Sequence, residues 1–378
     1  MRVDYPIISA DSHITEAPNT YRDYIDPKWR DRAPRIEYVD KIGDAFLIDG
    51  FDKPIALGLV AAAGKPSEEI RIAGVRFEEL HRGGWDPDAR MEDQRRDGVA
   101  AEVIYPTVGM VLCNHKDVDY KKACFDAYNR WIAEYCGRHP ERLLGCGQTA
   151  MRSPAEGIAD LKSIQALGLR GVMMPGNPAV EDYDSRVYDP FWEAAIELGI
   201  PLSFHILTDR NYAFGARVRG PAMNAFLNIV RGCQDIMGTL VLGGVFERHP
   251  ALKIVCVEAD AGWVPHYMYR MDHAYKRHRH WLPAGQKLSK LPSEYFSQNI
   301  YTTFQDDWVA FKVANLMNWR RLLWANDFPH SDSTWPDSQE MLATHTKHLT
   351  PEQKRGILCD NVAALYKIDV ARLEASAA

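Results

Sequence analysis

From about residue 100 onward, short apolar runs alternate with stretches in which apolar residues recur every three or four positions. Period-two runs between period-3.6 segments are the sequence form of βα repeats around a parallel sheet. Ala101-Glu102-Val103-Ile104-Tyr105 reads as a strand stopped by Pro106, and residues 119–138 as a helix with Ala123, Ala127, Trp131, Ile132 and Tyr135 on one face. Further strands are expected at 143–147, 170–174, 202–205, 254–257, 300–304 and 322–326. Ser153-Pro154 and Asp189-Pro190 each open a helix. There the polar side chain caps free N–H groups, and proline in the first turn gives up no hydrogen bond. Ile7-Ile8-Ser9 supplies a first strand and brings the count to eight, enough to close a (β/α)8 TIM barrel.

Two stretches interrupt the rhythm. Residues 28–95 far exceed a usual βα connection and contain Ala45-Phe46-Leu47-Ile48-Asp49-Gly50, which reads as a hairpin strand. Inserted after the first strand, this segment is expected to form a small cap over the strand ends. Residues 267–293, dense in His, Arg, Tyr and Trp, are expected to add a helix to the rim. The chain carries no internal repeat, so residues 1–378 read as one barrel domain with that cap.

Composition narrows the function by exclusion. Hydrophobic residues at 46% and charged residues at 25% describe an ordinary globular protein. A net charge of −6 with no long basic run points away from nucleic acid, and Lys276-Arg277-His278-Arg279-His280 reads as a solvated patch. No apolar window is long enough to span a bilayer and no leader precedes the first strand, so a cytoplasmic location is expected. Seven cysteines without CxxC spacing fit reduced, buried thiols. A small molecule is the expected partner.

Candidate chemistry gathers at strand ends. Ile7 to His13 ends in Asp11-Ser12-His13, Leu202-Ser203-Phe204 in His205, Ile254-Val255-Cys256-Val257 in Glu258, and Leu322-Leu323-Trp324-Ala325-Asn326 in Asp327. In a parallel barrel the strand C-termini converge on one mouth, so residues far apart in sequence can surround one ion. Alternation puts Asp11 and His13 on the same strand face. Asp11, His13, His205 and Asp327 together offer two imidazoles and two carboxylates, a shell for a transition metal. A carboxylate after an apolar run is costly to bury without a cation, which makes Asp327 the most telling of the four. Glu258 is a catalytic candidate or a salt-bridge partner across the mouth, and His330 a substrate binder or a turn cap. No Walker loop, GxSxG elbow or GxGxxG fingerprint is present.

At these residues the chain resembles the amidohydrolase superfamily, and more narrowly amidohydrolase family 2, the branch of aminocarboxymuconate-semialdehyde decarboxylase. The matching segments are Ser9-Ala10-Asp11-Ser12-His13-Ile14-Thr15-Glu16, residues 85–107, Ser203-Phe204-His205, residues 246–263, Trp324-Ala325-Asn326-Asp327-Phe328-Pro329-His330 and Asn361-Val362-Ala363-Ala364-Leu365-Tyr366. The resemblance implies a distorted barrel with one divalent ion, the first-strand pair being Asp11 and His13, the fifth-strand histidine His205 and the eighth-strand aspartate Asp327. It also implies a homodimer, for which the aromatic segment 264–282 offers a surface. The chain departs from the decarboxylases of the branch in having Glu258-Ala259-Asp260-Ala261-Gly262 where they carry a His-Gly-Gly type segment.

The reading expected from the sequence is a metal-dependent hydrolase of a small cyclic or aromatic, carboxylate-bearing molecule. Asp11, His13 and His205 hold the ion, zinc first and manganese second. Asp327 takes a proton from the activated water, and Glu258 or His330 orients substrate or supplies a second proton. The nearest rival is a non-oxidative decarboxylase on the same metal site. A non-catalytic binding barrel is the rival from another class.

Overall fold

In the computed structural model, residues 3–212, 218–283 and 287–377 are described. Eight strands form one parallel sheet in the order β1 (Ile8–His13), β5 (Ala101–Tyr105), β6 (Leu143–Gln148), β7 (Gly171–Met174), β8 (Leu202–His205), β9 (Ile254–Val257), β10 (Ile300–Phe304) and β11 (Leu322–Trp324). All residues of these strands are buried, as expected where helices cover the outer face and side chains fill the inside. The sheet closes on itself beyond β11. There Asp327 N donates to Asp11 O at 3.0 Å and His13 N donates to Phe328 O at 2.7 Å, so the segment after the last strand pairs with the end of the first. Eight parallel strands closed in this way are a (β/α)8 TIM barrel.

The structure refines the expected elements at their edges. β11 stops at Trp324, three residues short of Asp327, which therefore sits on a loop. The expected rim helix is present as Val264–His278. Among the described residues, no helix is long and apolar enough to cross a membrane.

The insertion after β1 builds its own antiparallel sheet from β2 (Arg35–Val39), β3 (Gly43–Leu47) and β4 (Ile55–Ala56). β3 begins two residues earlier than its sequence suggested and lies at the centre. Beyond β4 the insertion meets the segment that follows β11. Ser331 N donates to Leu59 O at 3.0 Å and Ala63 N donates to Pro329 O at 3.1 Å. Ala63, Phe328 and Trp335 pack into a small apolar cluster, against which the His81 ring lies at 5.2 Å from Phe328 and 5.0 Å from Trp335. The insertion thus joins the barrel on the side where the strand C-termini lie.

Helix Pro87–Asp97 ends the insertion. Asp86 caps it by accepting from Asp88 N and Ala89 N, and Gly98 closes it at φ +69, a backbone state that suits glycine. This helix is polar nearly all round, yet its Arg90 is wholly buried. The cause lies in β5, where Glu102 interrupts an apolar strand. A buried carboxylate needs a cation and hydrogen bonds, and Glu102 receives Arg90 Nε at 2.6 Å, Gln94 Nε2 at 2.7 Å and Ser12 Oγ at 3.2 Å.

Candidate active site and metal centre

Asp11 and His13 lie at the end of β1, where the pairing with β5 shifts register between Ser9 and Ser12. Both side chains still reach the barrel mouth. His13 Nε2 lies 3.5 Å from Asp11 Oδ1, 3.4 Å from Asp327 Oδ1 and 3.4 Å from Glu258 Oε2. His205, at the end of β8, brings Nε2 to 3.5 Å from Asp11 Oδ1 and 3.2 Å from Glu258 Oε2. Two overlapping groups result, Asp11–His13–His205–Glu258 and His13–Glu258–Asp327–His330, with the offered donor atoms of each within 4.8 Å of one another. The structure therefore brings all six residues singled out in the sequence to one place. Glu258, read there as a catalytic candidate or a salt-bridge partner across the mouth, stands among the offered donor atoms.

Hydrogen-bond logic fixes the imidazoles. His13 Nδ1 meets Pro106 O at 3.0 Å and His205 Nδ1 meets Ile206 O at 3.2 Å. A carbonyl only accepts, so each Nδ1 carries the hydrogen and each neutral ring turns a bare Nε2 toward the carboxylates. Both Nε2 atoms, both oxygens of Asp11 and of Asp327, and Glu258 Oε2 are buried without a hydrogen-bond partner. Unpaired buried polar atoms cost about 1–3 kcal/mol each, so seven facing one another would be prohibitive if nothing filled the space between them. Donor set and burial fit a divalent cation.

The electrostatics follow from the crowding. Burial alone would push the Asp11 carboxyl up, but the nearby His205 and His13 charges bring it down to about 2. Burial opposes protonation of His13, yet the Asp11 and Glu258 carboxylates raise it to about 9. A proton and a metal ion thus compete for the same Nε2 lone pair. Burial, then repulsion from Glu258, Asp11 and Asp332, holds the Asp327 carboxyl well above the ordinary range. Burial and the nearby His13, His205 and Arg90 charges keep His330 far below the usual imidazole value. Glu258, Asp260 and Asp327 adopt left-handed backbone conformations, with φ of +57, +55 and +55. For non-glycine residues such conformations cost on the order of 1–3 kcal/mol each and gather at functional sites.

Two supporting residues escaped the sequence reading. Arg90 donates through Nη1 to His13 O at 2.8 Å and through Nη2 to Phe328 O at 3.2 Å, gripping the backbone beside both His13 and Asp327. Glu16 is buried and accepts from the backbone N–H groups of Thr107, Val108 and Gly109. A signal for Arg90 was available in Glu102, a charge inside an apolar strand. Glu16 had none beyond its place in the first motif.

Comparison with known proteins agrees with this architecture. The family model described as Amidohydrolase matches residues 70–368. The 2-amino-3-carboxymuconate-6-semialdehyde decarboxylase of Dictyostelium discoideum is 26% identical over 269 residues, covering 69% of this chain and 71% of that protein. The structure of an amidohydrolase from Mycobacterium avium subsp. paratuberculosis superposes with a TM-score of 0.78 at 20% identity, over 97% of this chain and 100% of that one. A 5-carboxyvanillate decarboxylase from Novosphingobium aromaticivorans, solved with bound manganese and a nitrobenzoic acid, gives a TM-score of 0.68 at 18% identity, over 96% and 97% of the two chains. Closed parallel barrel, strand-end motifs and a family match over most of the chain lead to one assignment: the protein belongs to amidohydrolase family 2.

Proposed function

We propose that this chain is a metal-dependent, non-oxidative decarboxylase of a small aromatic or unsaturated carboxylic acid. The observation that carries the reading is a cluster of bare, buried donors suited to a divalent ion, with the Asp327 carboxyl at its edge and 3.1 Å from His330 Nδ1. A decarboxylase must deliver a proton to carbon, and burial beside Glu258 and Asp11 raises the Asp327 pKa, the direction that suits an acid. Hydrolysis, the reaction first expected from the sequence, asks Asp327 to act as a base. The decarboxylase names borne by relatives in the family support the same choice.

Asp11, His13 and His205 would hold the ion, with Glu258 and Asp327 within reach of it. Three carboxylates against two imidazoles favour manganese over the zinc expected from sequence, in keeping with the manganese found in the 5-carboxyvanillate decarboxylase structure. When bound, such an ion would supply positive charge to hold an acidic substrate. Asp327 gives its proton to the carbon that bears the carboxylate. The C–C bond then breaks, carbon dioxide leaves, and the bonding electron pair stays with the carbon skeleton. Asp327 recovers its proton from solvent, so each turnover consumes one. Arg90 keeps the backbone on either side of the site in place, and the insertion after β1 covers the mouth. A homodimer would use the rim helix, where Tyr269 and the following Trp281 stand exposed.

The test is turnover of 5-carboxyvanillate and of 2-amino-3-carboxymuconate 6-semialdehyde by manganese-loaded protein in deuterated water. One carbon dioxide per substrate and one deuterium at the vacated carbon are expected. Oxygen from ¹⁸O-labelled water appearing in the organic product without carbon dioxide would establish hydrolysis instead.

A further inference from the structure

His330 follows Asp327 by three residues, and its backbone N–H donates to Asp327 O at 3.0 Å. Its ring stacks on His13, with centroids 3.9 Å apart and planes 27° from parallel. Nδ1 stands 3.1 Å from Asp327 Oδ1, and Nε2 stands 3.0 Å from Thr107 Oγ1. On distances alone, either nitrogen could carry the hydrogen.

Thr107 decides between them. A threonine hydroxyl has one hydrogen, and that of Thr107 goes to Ile14 O at 2.6 Å. A carbonyl cannot donate in return, so toward His330 the Thr107 oxygen can only accept, and Nε2 must carry the hydrogen. Thr107 is itself fixed by its backbone N–H, which donates to the buried Glu16 carboxylate at 3.2 Å. Glu16 also receives Val108 N at 2.9 Å and Gly109 N at 3.2 Å, which ties the loop after β5 to the end of β1. Thr107, Glu16 and His330 are all buried, so water does not compete for these bonds.

We propose that Thr107 is a positioning residue that locks the neutral His330 ring in the Nε2–H form, so that its Nδ1, 3.1 Å from Asp327 Oδ1, faces that carboxyl without a hydrogen. That form of the ring is the same whether the reaction is decarboxylation or hydrolysis.

The test needs no substrate, so it can fail or succeed independently of the decarboxylase reading. Full-length protein labelled with ¹⁵N-histidine and loaded with diamagnetic zinc is examined by NMR of the ring nitrogens, the His330 signals being assigned by their loss in His330→Gln. Wild type and Thr107→Ser should show a hydrogen on Nε2 of His330. Thr107→Val, which keeps the shape and removes the acceptor, should lose that assignment while zinc content is unchanged. A bare Nε2 in wild type would overturn the proposal, and so would an unaltered His330 spectrum in Thr107→Val. If Thr107→Val fails to fold, wild type and Thr107→Ser still decide the question.

Discussion

At the residue scale the site is a contest between a cation and protons for the same buried atoms. His13 shows this most directly, and it gives a prediction for protein stripped of metal. Its folded-state pKa is raised from 6.5 to about 9. Protonation of His13 therefore stabilises the metal-free fold fully below pH 6.5, and that contribution is lost as pH rises through about 9. Chelator-treated protein should lose stability across this window in urea titrations, and His13→Gln should flatten that part of the profile. Metal-loaded protein should show no such loss, because the ion then occupies Nε2 in place of the proton. A metal-free profile that rises over the same window would contradict the assignment. That Asp11, His13, His205, Glu258, Asp327 and His330 come together was legible in the sequence because the first five close apolar strand runs and His330 follows Asp327 by three residues. What was not legible was the order of contact. Glu258 stands with the other donor atoms where the chain turns into a left-handed conformation directly after β9, a feature that no residue type there announces.

At the element scale the barrel strands were readable because they are buried on both faces and so are largely apolar. Their ends were less so. The sequence extends the last strand to Asn326, but the chain leaves the sheet after Trp324 to pair with β1. Helix Pro87–Asp97 was obscured for a different reason. Charged residues surround it, so the inward-facing Arg90 has the same sequence signature as the solvated Arg95. Removing one partner of a buried ion pair strands the other charge, at a cost of about 3–5 kcal/mol. Arg90→Met should therefore destabilise the protein by about that amount in urea unfolding, and adding Glu102→Gln should recover part of the loss. If Arg90→Met alone is as stable as wild type, the Arg90–Glu102 pair does not support the fold as described.

At the scale of the whole molecule, five of the eight barrel strands' ends or following loops contribute to one site, either a donor or, from β5, a supporting contact, so occupancy of the centre should be felt globally. About one divalent ion per chain is expected by elemental analysis, and His13→Ala and His205→Ala should each lose most of it while remaining folded. An ion present at 100 times its Kd adds about 2.7 kcal/mol to stability, so chelation should lower Tm measurably. Full metal content in both alanine variants would dispose of the centre. The junction at Leu59, Ala63, Pro329 and Ser331 carries a different consequence. The same short segment that follows Asp327 also holds the insertion, by two backbone bonds that do not depend on side-chain identity. The β2–β4 sheet is thus a replaceable module with a fixed seam. Related barrels could exchange residues 35–56 to suit differently shaped substrates, while any graft cut within 59–63 would disturb the loop that carries Asp327.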